Sequence, residues 1–290
     1  MQLDYALILS AGLGTRMGEL GKVLPKVIWP IFSKSVLELQ IDYCRDLGIK
    51  NIYINVHFLA EEIKKHLATI SHENVKITIL QENPLLDSGG AIHNLAVQNE
   101  VNYKGNLLLV NGDQFLLFQK DLFNQALQLL ATPEARAALF GIQVDKNASY
   151  NETKIENGIL VDIQKNSGFN DYVTYSGLGI VKLDGLAPVA GASKFFQTVV
   201  NYKSEKTYMI TPELFEYWDF GTAELYSKNI FKMAGQKKET NLFKNFLTSH
   251  SVDLNQYNNF LDLTLHSIDL AQKGVFHSGM ISYNGVEQKI

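Results

Sequence analysis

Short apolar runs alternate with amphipathic stretches along about the first 145 residues of the chain. This alternation is typical of βαβ units, which build a parallel sheet covered by helices. The apolar runs predict strands at residues 6–10, 52–56, 75–79 and 106–110. Because residues 106–110 are almost continuously apolar, we expect that strand to be buried on both faces.

The stretches between these strands carry apolar residues at helical spacing. One stripe covers residues 36–47 and directly follows Ser35, and serine is a preferred residue at a helix N-cap. A second stripe covers residues 59–70, and another helix should begin near Gly90. Cys44 falls in the first stripe, so we interpret it as a core residue of that helix rather than a reactive thiol.

Between about residues 137 and 185 the pattern changes to short alternating segments, which predict an antiparallel β appendage. Asn157 and Gly158 form the dipeptide that is favoured in tight type I′ hairpin turns. The sequence therefore predicts a hairpin at these two residues, within a small β subregion at about 146–185.

The chain after about residue 225 has a different character. Lys-rich stretches at helical spacing continue to about residue 273, and a second Asn-Gly pair, Asn284 and Gly285, predicts a small hairpin beyond them. We therefore expect a main α/β domain at residues 1–225 and a helical C-terminal extension at residues 226–290. Three roles are open for the extension: capping a pocket, forming a homodimer contact, or covering the sheet.

Composition and charge exclude several classes of protein. With 290 residues, of which 46% are hydrophobic, the chain has ample material for a core. Its 26 Lys and Arg against 30 Asp and Glu leave a net charge of −4, so no broad basic field indicates a nucleic-acid partner. The single cysteine cannot form an internal disulfide, and none of the seven histidines has the spacing of a zinc site.

The apolar opening lacks a basic leader and a cleavage site, and no apolar run approaches the length of a membrane span, so we expect a cytoplasmic protein without a membrane partner.

A glycine-rich loop follows the first strand and carries the strongest local signal. Glycines in such a loop let backbone N–H groups approach a phosphate, while a guanidinium at Arg16 and an ammonium at Lys26 suit a polyphosphate. A dinucleotide fingerprint is excluded because Met17 stands where its third glycine belongs, and a Walker A loop because Val23 follows Gly21 and Lys22. On spacing alone, a tight turn with two solvated surface charges remains an alternative.

Five stretches, taken together and in order, resemble the signature of the sugar-1-phosphate nucleotidyltransferases. They are residues 11–17 (AGLGTRM, with Pro25-Lys26 after it), 85–92 (LLDSGGAI), 111–113 (NGD), 172–180 (YVTYSGLGI) and 218–222 (WDFGT). The resemblance covers about residues 1–225 and is closest to bacterial mannose-1-phosphate guanylyltransferases and N-acetylmuramate-1-phosphate uridylyltransferases. It implies a Rossmann-like, three-layer α/β fold of the GT-A-like nucleotidyltransferase type. It also implies a reaction in which a sugar 1-phosphate attacks the α-phosphorus of an NTP and pyrophosphate leaves.

The resemblance implies a role for each matching residue. Asp113 and Asp219 would hold Mg²⁺, Arg16 would stabilise the departing pyrophosphate, Lys26 would bind the sugar phosphate or the α-phosphate, and Lys165 would be a second phosphate clamp. Asn111 and Gly177 would line the sugar pocket, although Gly177 is also what a β-bulge requires. The nucleotide contacts would come from the loop and from the second motif: Ala11, Gly12, Gly14, Thr15, Gln81, Gly89 and Gly90.

The sequence departs from the family pattern at two places. The frequent Glu-Lys-Pro after the hairpin reads Gln164, Lys165 and Asn166, which removes a carboxylate that would contact a sugar hydroxyl. The loop between Arg16 and Pro25 contains Gly18, Glu19 and Lys22 in place of the usual residues, so its contacts to the triphosphate are not fixed by the resemblance.

Other functions remain open at this stage. The acceptor could be phosphocholine, because four aromatic residues (Tyr172, Tyr175, Trp218 and Phe220) come from the motifs of the expected pocket and aromatic faces hold quaternary ammonium groups. These residues could equally be packing residues. A glycosyltransferase that uses a finished nucleotide sugar would favour Asp-x-Asp, whereas the first position here is Asn111. A regulatory subunit would not need Arg16, Lys26 and both acids.

Overall fold

The computed structural model describes residues 3, 5–98, 101–235, 242–252, 274–277 and 280–289. The helices are α1 (Val36–Asp46), α2 (Ala60–Leu67), α3 (Asp87–Gln98), α4 (Asp121–Leu130), α5 (Ala223–Gly235) and α6 (Leu242–Ser249). The strands of the first half are β1 (Tyr5–Leu9), β2 (Pro30–Ile31), β3 (Lys34–Ser35), β4 (Asn51–Val56), β5 (Lys76–Gln81), β6 (Asn106–Asn111), β7 (Gln114–Phe118) and β8 (Ala135–Val144). Those of the second half are β9 (Asn151–Glu156), β10 (Ile159–Lys165), β11 (Tyr172–Lys182), β12 (Lys206–Ile210), β13 (Phe215–Asp219), β14 (Gly274–His277), β15 (Met280–Tyr283) and β16 (Val286–Lys289).

The central sheet has nine strands in the order β5-β4-β1-β6-β11-β8-β12-β10-β9. Strands β5, β4, β1 and β6 run parallel, as the alternating pattern of the first half predicts. All four strands predicted from apolar runs are present within one or two residues of their expected bounds. Their carboxyl ends therefore meet at one edge, where open α/β sheets bind ligands.

Successive side chains of each buried strand point to opposite faces of the sheet, so both faces are apolar. Helices cover both of these faces. In β1, Ala6 and Ile8 pack into one apolar core, while Leu7 packs into a second core on the other face. The first core includes α1, α4, α5 and α6, and the second includes α3 and a helical turn at Phe196–Val200. The predicted three-layer α/β architecture is confirmed.

Helix α1 shows why the local pattern was predictive. Ser35 accepts a hydrogen bond from the Glu38 N–H at 3.1 Å, and the Glu38 carboxylate accepts one from the Ser35 N–H at 2.8 Å, which is a complete capping box. Cys44 is fully buried in this helix, and burial raises the pKa of its thiol far above the ordinary range. The prediction that Cys44 packs in the core is confirmed.

The β segments at 137–185 pair antiparallel, as predicted, but they extend the central sheet instead of forming a separate appendage. Strand β11 pairs with β6 along Leu178–Lys182 and with β8 on its other side, because β6 would otherwise leave an unpaired edge. The hairpin at Asn157 and Gly158 is confirmed: both residues have positive φ, 50° and 76°, as a type I′ turn requires.

The extension contains more than helices, because β14, β15 and β16 form a three-stranded sheet that includes the predicted turn at Asn284 and Gly285. One apolar core includes residues from both sides of the predicted boundary at residue 225, among them Tyr226, Phe243 and Ile281. The predicted helical stretch at 253–273 lies outside the described residues. Over the part of the chain that is described, no helix has both the length and the apolar character needed to cross a membrane.

Candidate active site

The carboxyl ends of β1, β4 and β6 open onto a cavity of about 630 Å³, which we call the first cavity. The turn after β1 reaches it through the glycine-rich loop, and the turn after β6 reaches it through Asn111 and Asp113. Six residues predicted from the sequence line this cavity: Ala11, Gly12, Arg16, Lys26, Asn111 and Asp113.

The glycine-rich loop is compact, and its glycines are used for close backbone approach. Gly14 has φ +65°, and its carbonyl accepts a hydrogen bond from the Met17 N–H at 2.9 Å, which closes the turn. A Cβ on Gly12 would lie 3.4 Å from the Lys26 side chain, so this glycine leaves room for the ammonium stem. Arg16 is exposed, and no ion pair holds it within the part of the chain that is described. Gly14 and Thr15 belong to the loop but do not line the first cavity.

The two acids predicted to hold a metal lie close together, although they are far apart in sequence. Asp113 directly precedes β7 and Asp219 ends β13, and these two strands pair antiparallel with Asp219 opposite Gln114. Gly221 lies between the acids, because a Cβ built on it would be 2.9 Å from an oxygen of each carboxylate. The N–H of Phe220 donates to the Asp113 carbonyl at 2.8 Å, which fixes the two strand ends to each other.

Each acid has neighbours that hold its orientation. Lys26 forms an ion pair with Asp113 Oδ2. Asp219 accepts hydrogen bonds from Gln114 Nε2 at 3.0 Å, from the Tyr150 hydroxyl at 2.6 Å and from the N–H of Gly221 at 2.7 Å. Burial, and then the adjacent Asp219 carboxylate, raise the pKa of the Tyr150 hydroxyl, so this group is a hydrogen-bond donor at neutral pH.

These acids fit a hard divalent ion that takes most of its ligands from substrate and water. Within the described ranges, no cluster of three or more His, Cys, Asp or Glu side chains forms a closed protein cage. Two converging carboxylates, each only 7% exposed, match the way Mg²⁺ is usually held, by one or two acids together with substrate phosphates.

A second cavity of about 570 Å³ adjoins the first and shares Leu9, Asp87, Ser88 and Asn111 with it. Asn151 and Tyr175 also line this second cavity. The Tyr175 hydroxyl is buried and has no hydrogen-bond partner in the described structure, and its ring packs against Phe195 and Phe196.

Gly177 lies at an irregularity in β11, where the register with β8 shifts between Tyr175 and Gly179. It has φ +85°, and a Cβ there would come within 2.6 Å of Asn111 Nδ2 and closer still to Gln114 Oε1. Asn111 Nδ2 in turn donates to Gln114 Oε1 at 2.7 Å. Of the two interpretations of Gly177, the β-bulge describes its backbone, and the space it leaves is filled by these two amides.

Four predicted residues lie differently from what the motifs suggest. Gln81 is exposed, its amide oxygen accepts a hydrogen bond from Lys64 at 2.8 Å, and it does not line the first cavity. The N–H groups of Gly89 and Gly90 both donate to the Ser193 carbonyl, at 2.9 and 3.1 Å. A Cβ on either glycine would come within 2.7 Å of the 191–194 backbone, so these glycines let α3 pack against that segment. Lys165 is exposed at the end of β10, opposite Asn151.

Two buried polar residues beside the first cavity were not predicted from the sequence. Asn55 accepts a hydrogen bond from the Ser10 N–H at 2.7 Å and donates one to Glu82 at 2.8 Å. Glu82 also accepts a hydrogen bond from the Leu86 N–H at 2.8 Å. The pair therefore joins the start of the glycine-rich loop to the start of the second motif. The available signal was a polar residue near the end of each of two adjacent apolar strands.

Comparison with known proteins shows the family to which the chain belongs. The nucleotidyl transferase family matches residues 5–161. The chain is 35% identical over 112 residues to the D-glycero-alpha-D-manno-heptose 1-phosphate guanylyltransferase of Campylobacter jejuni, covering 38% of this chain and 48% of that one. It is 29% identical over 153 residues to a bifunctional sugar-1-phosphate nucleotidylyltransferase/acetyltransferase of Sulfurisphaera tokodaii, covering 52% of this chain and 34% of that one. The chain thus spans about a third to a half of the length of these relatives.

Solved structures show the same fold at low identity. The crystal structure of HddC from Yersinia pseudotuberculosis aligns with a TM-score of 0.66 and 22% identity, over 80% of this chain and 99% of that one. The same protein has also been solved complexed with GMP-PN. Since the family match covers more than half of the chain, the chain belongs to the nucleotidyl transferase family, which is a family of enzymes.

Proposed function

We propose that this chain transfers a nucleotidyl group from an NTP to a sugar 1-phosphate in a magnesium-dependent reaction, giving a nucleotide sugar and pyrophosphate. The observation that carries the proposal is the convergence of Asp113 and Asp219 beside a cavity that Arg16 and Lys26 also line. Two acids for a metal and two cations for phosphate are what a reaction between two anions needs. The names of the similar relatives support the same substrate classes.

The nucleophile needs no general base from the protein. The second pKa of a phosphate monoester is about 6, so the attacking oxygen is already anionic at neutral pH. The barrier is instead electrostatic, because two anions must meet and charge must build on the leaving pyrophosphate. Mg²⁺ held by Asp113 and Asp219 would supply neutralisation of the phosphate oxygens.

Binding of the phosphates and stabilisation of the leaving group would be performed by side chains of the protein. Arg16, exposed at the end of the glycine-rich loop, would bind the β- and γ-phosphates and stabilise the charge on pyrophosphate. Lys26 would bind the α-phosphate or the sugar phosphate once a cation shares its partner Asp113. Removal of one preorganised group of this kind typically lowers kcat by about 10² to 10³.

The second cavity is the proposed acceptor side. Asn111 and Asn151 offer amide donors and acceptors to a sugar, and the Tyr175 side chain forms part of the wall. Lys165 remains a candidate clamp for the sugar phosphate, because it lies opposite Asn151 at the end of its strand. Trp218 and Phe220, two of the aromatic residues that suggested a phosphocholine acceptor, are 3% and 1% exposed and pack in the core.

Pyrophosphate release tests the proposal. Thermal-shift measurements with four NTPs and Mg²⁺ would identify the base, beginning with GTP because of the guanylyltransferase relative. A panel of sugar 1-phosphates, including mannose and heptose 1-phosphates, would follow, with phosphocholine as a competing acceptor. We expect pyrophosphate only when the NTP and a sugar 1-phosphate are both present. Pyrophosphate from phosphocholine instead, or none with any pair, would contradict the proposal.

A further inference from the structure

Strands β15 and β16 pack against the segment that follows Arg16, at the side of the glycine-rich loop. Ile281 and Tyr283 of β15 are 1% and 3% exposed and belong to the main apolar core. The Tyr283 hydroxyl also donates a hydrogen bond to Glu62 Oε2 at 2.5 Å. The strand pair is thus attached to the body of the protein independently of the loop.

From this anchored position, Gln288 of β16 contacts the loop directly. Its Oε1 accepts a hydrogen bond from the Leu20 N–H at 3.0 Å. The same side chain occupies the space over Gly18, where a Cβ would lie 2.6 Å from Oε1. Gly18 has φ +70°, so two requirements at this position, a left-handed backbone and room for Gln288, both favour glycine.

The Leu20 N–H needs an acceptor from outside its own turn. Leu20 begins a short 3₁₀ turn at Leu20–Lys22, and the first N–H groups of a helical turn have no partner within it. Leu20 is fully buried, so water cannot readily replace a lost acceptor. Gln288 therefore supplies the acceptor that the Leu20 N–H lacks within its own turn.

The geometry points to Gln288 as a positioning residue for the polyphosphate site, acting through the 18–22 segment on Arg16. This inference rests on the proposed function, because it assumes that the glycine-rich loop binds polyphosphate. The main chain of Arg16 is fixed on its other side by the Ala223 N–H, which donates to the Arg16 carbonyl at 3.2 Å. Loss of the Gln288 contact would remove one of the attachments on the C-terminal side of Arg16, while the Ala223 contact and the Met17–Gly14 hydrogen bond would remain.

The test compares three variants of the full chain. Gln288→Met keeps a side chain of similar length but has no oxygen to accept the Leu20 N–H. Gln288→Glu restores an acceptor oxygen. Glu287→Met makes a matched change at the neighbouring exposed residue, whose side chain points to the opposite face of the strand. Binding is measured with inorganic tripolyphosphate and Mg²⁺ by calorimetry, which does not require the base to be known, and amide hydrogen exchange is followed in peptides that contain residues 17–24.

We expect Gln288→Met to weaken tripolyphosphate binding about tenfold, since a buried N–H loses its acceptor, and to speed exchange at Leu20. Gln288→Glu should restore slow exchange, and Glu287→Met should change neither quantity. In the transferase assay, Gln288→Met should lower kcat and raise the KM for the NTP, because Arg16 is proposed to bind the β- and γ-phosphates and to stabilise the departing pyrophosphate, and it should leave the KM for the sugar phosphate unchanged.

The outcomes distinguish the positioning role of Gln288 from the proposed function on which it rests. Unchanged tripolyphosphate affinity in a folded Gln288→Met variant, or equal weakening in Glu287→Met, overturns the positioning role while the proposed function stands. If the unmodified protein neither binds tripolyphosphate with Mg²⁺ nor releases pyrophosphate from any substrate pair, the proposed function fails, and the positioning role fails with it.

Discussion

Replacement of Gly177 by alanine perturbs the site through one methyl group. The position has φ +85°, and the new Cβ would lie within 2.6 Å of Asn111 Nδ2. Asn111 donates to Gln114 Oε1 at 2.7 Å, and Gln114 donates to Asp219 Oδ2 at 3.0 Å. The methyl group therefore displaces a chain of hydrogen bonds that ends on one of the two proposed metal ligands.

The cost has two parts, and the structure offers a control that separates them. Gly158 has φ +76° but nothing within 4 Å of a Cβ, so Gly158→Ala carries only the left-handed strain, about 1–2 kcal/mol. Gly177→Ala carries the same strain together with overpacking, which typically adds about 1–3 kcal/mol. We therefore expect Gly177→Ala to lower the free energy of unfolding by roughly 1–3 kcal/mol more than Gly158→Ala does.

The effect on activity should differ even more than the effect on stability. Displacement of a catalytic group by about 1 Å can cost on the order of 10² in rate, so kcat/KM of Gly177→Ala should fall by up to about that factor. Gly158→Ala, in a turn that lines neither the first nor the second cavity, should keep its activity. Urea unfolding gives the stabilities, and pyrophosphate release gives kcat/KM below the unfolding range.

Equal stabilities and equal activities for the two alanine variants would refute this reasoning. Such a result would mean that Asn111 and Gln114 move aside without cost, and that the Asn111–Gln114–Asp219 chain does not orient the acid. A loss of stability without a loss of activity would refute only the link to Asp219.

Three further predictions concern other parts of the molecule. Asp113→Asn should abolish metal-dependent turnover while circular dichroism shows an intact fold; near-normal turnover would remove Asp113 from the metal site. Arg16→Ala should lower kcat by about 10² or more with little change in sugar-phosphate affinity, and a change confined to KM would contradict its role at the leaving group. Cys44 should not react with a thiol reagent in the native protein and should react fully in urea, because burial raises the pKa of its thiol; rapid labelling of the native chain would mean that α1 opens readily.

The sequence was most informative where the cause of the structure is local. The capping box at Ser35 and the turn at Asn157 and Gly158 each depend on residues within three positions, so their patterns could be interpreted without knowledge of the fold. The ordered motifs also include the six predicted residues that line the first cavity, because they mark the ends of strands that the parallel topology brings to one edge.

The sequence was less informative where a residue acts through a distant partner. Gly89 and Gly90 show the difficulty, since a missing Cβ suits a bound nucleotide and a packed backbone equally well, and the hydrogen bonds to Ser193 are visible only in the folded chain. The members of the Asn55–Glu82 pair are 27 residues apart in sequence, and those of the Tyr150–Asp219 pair are 69 residues apart. No local pattern therefore predicts either contact.

The hydrogen bond between Leu20 and Gln288 joins residues 268 positions apart in the chain. Ribosomes add roughly 5–20 amino acids per second, so more than ten seconds separate the synthesis of the two partners. During that interval the nascent polypeptide can already build β1, β4 and β6, yet the segment after Arg16 still lacks its acceptor. Translation itself therefore sets an order of events in which the segment after Arg16 is among the last parts of the described molecule to reach its final geometry.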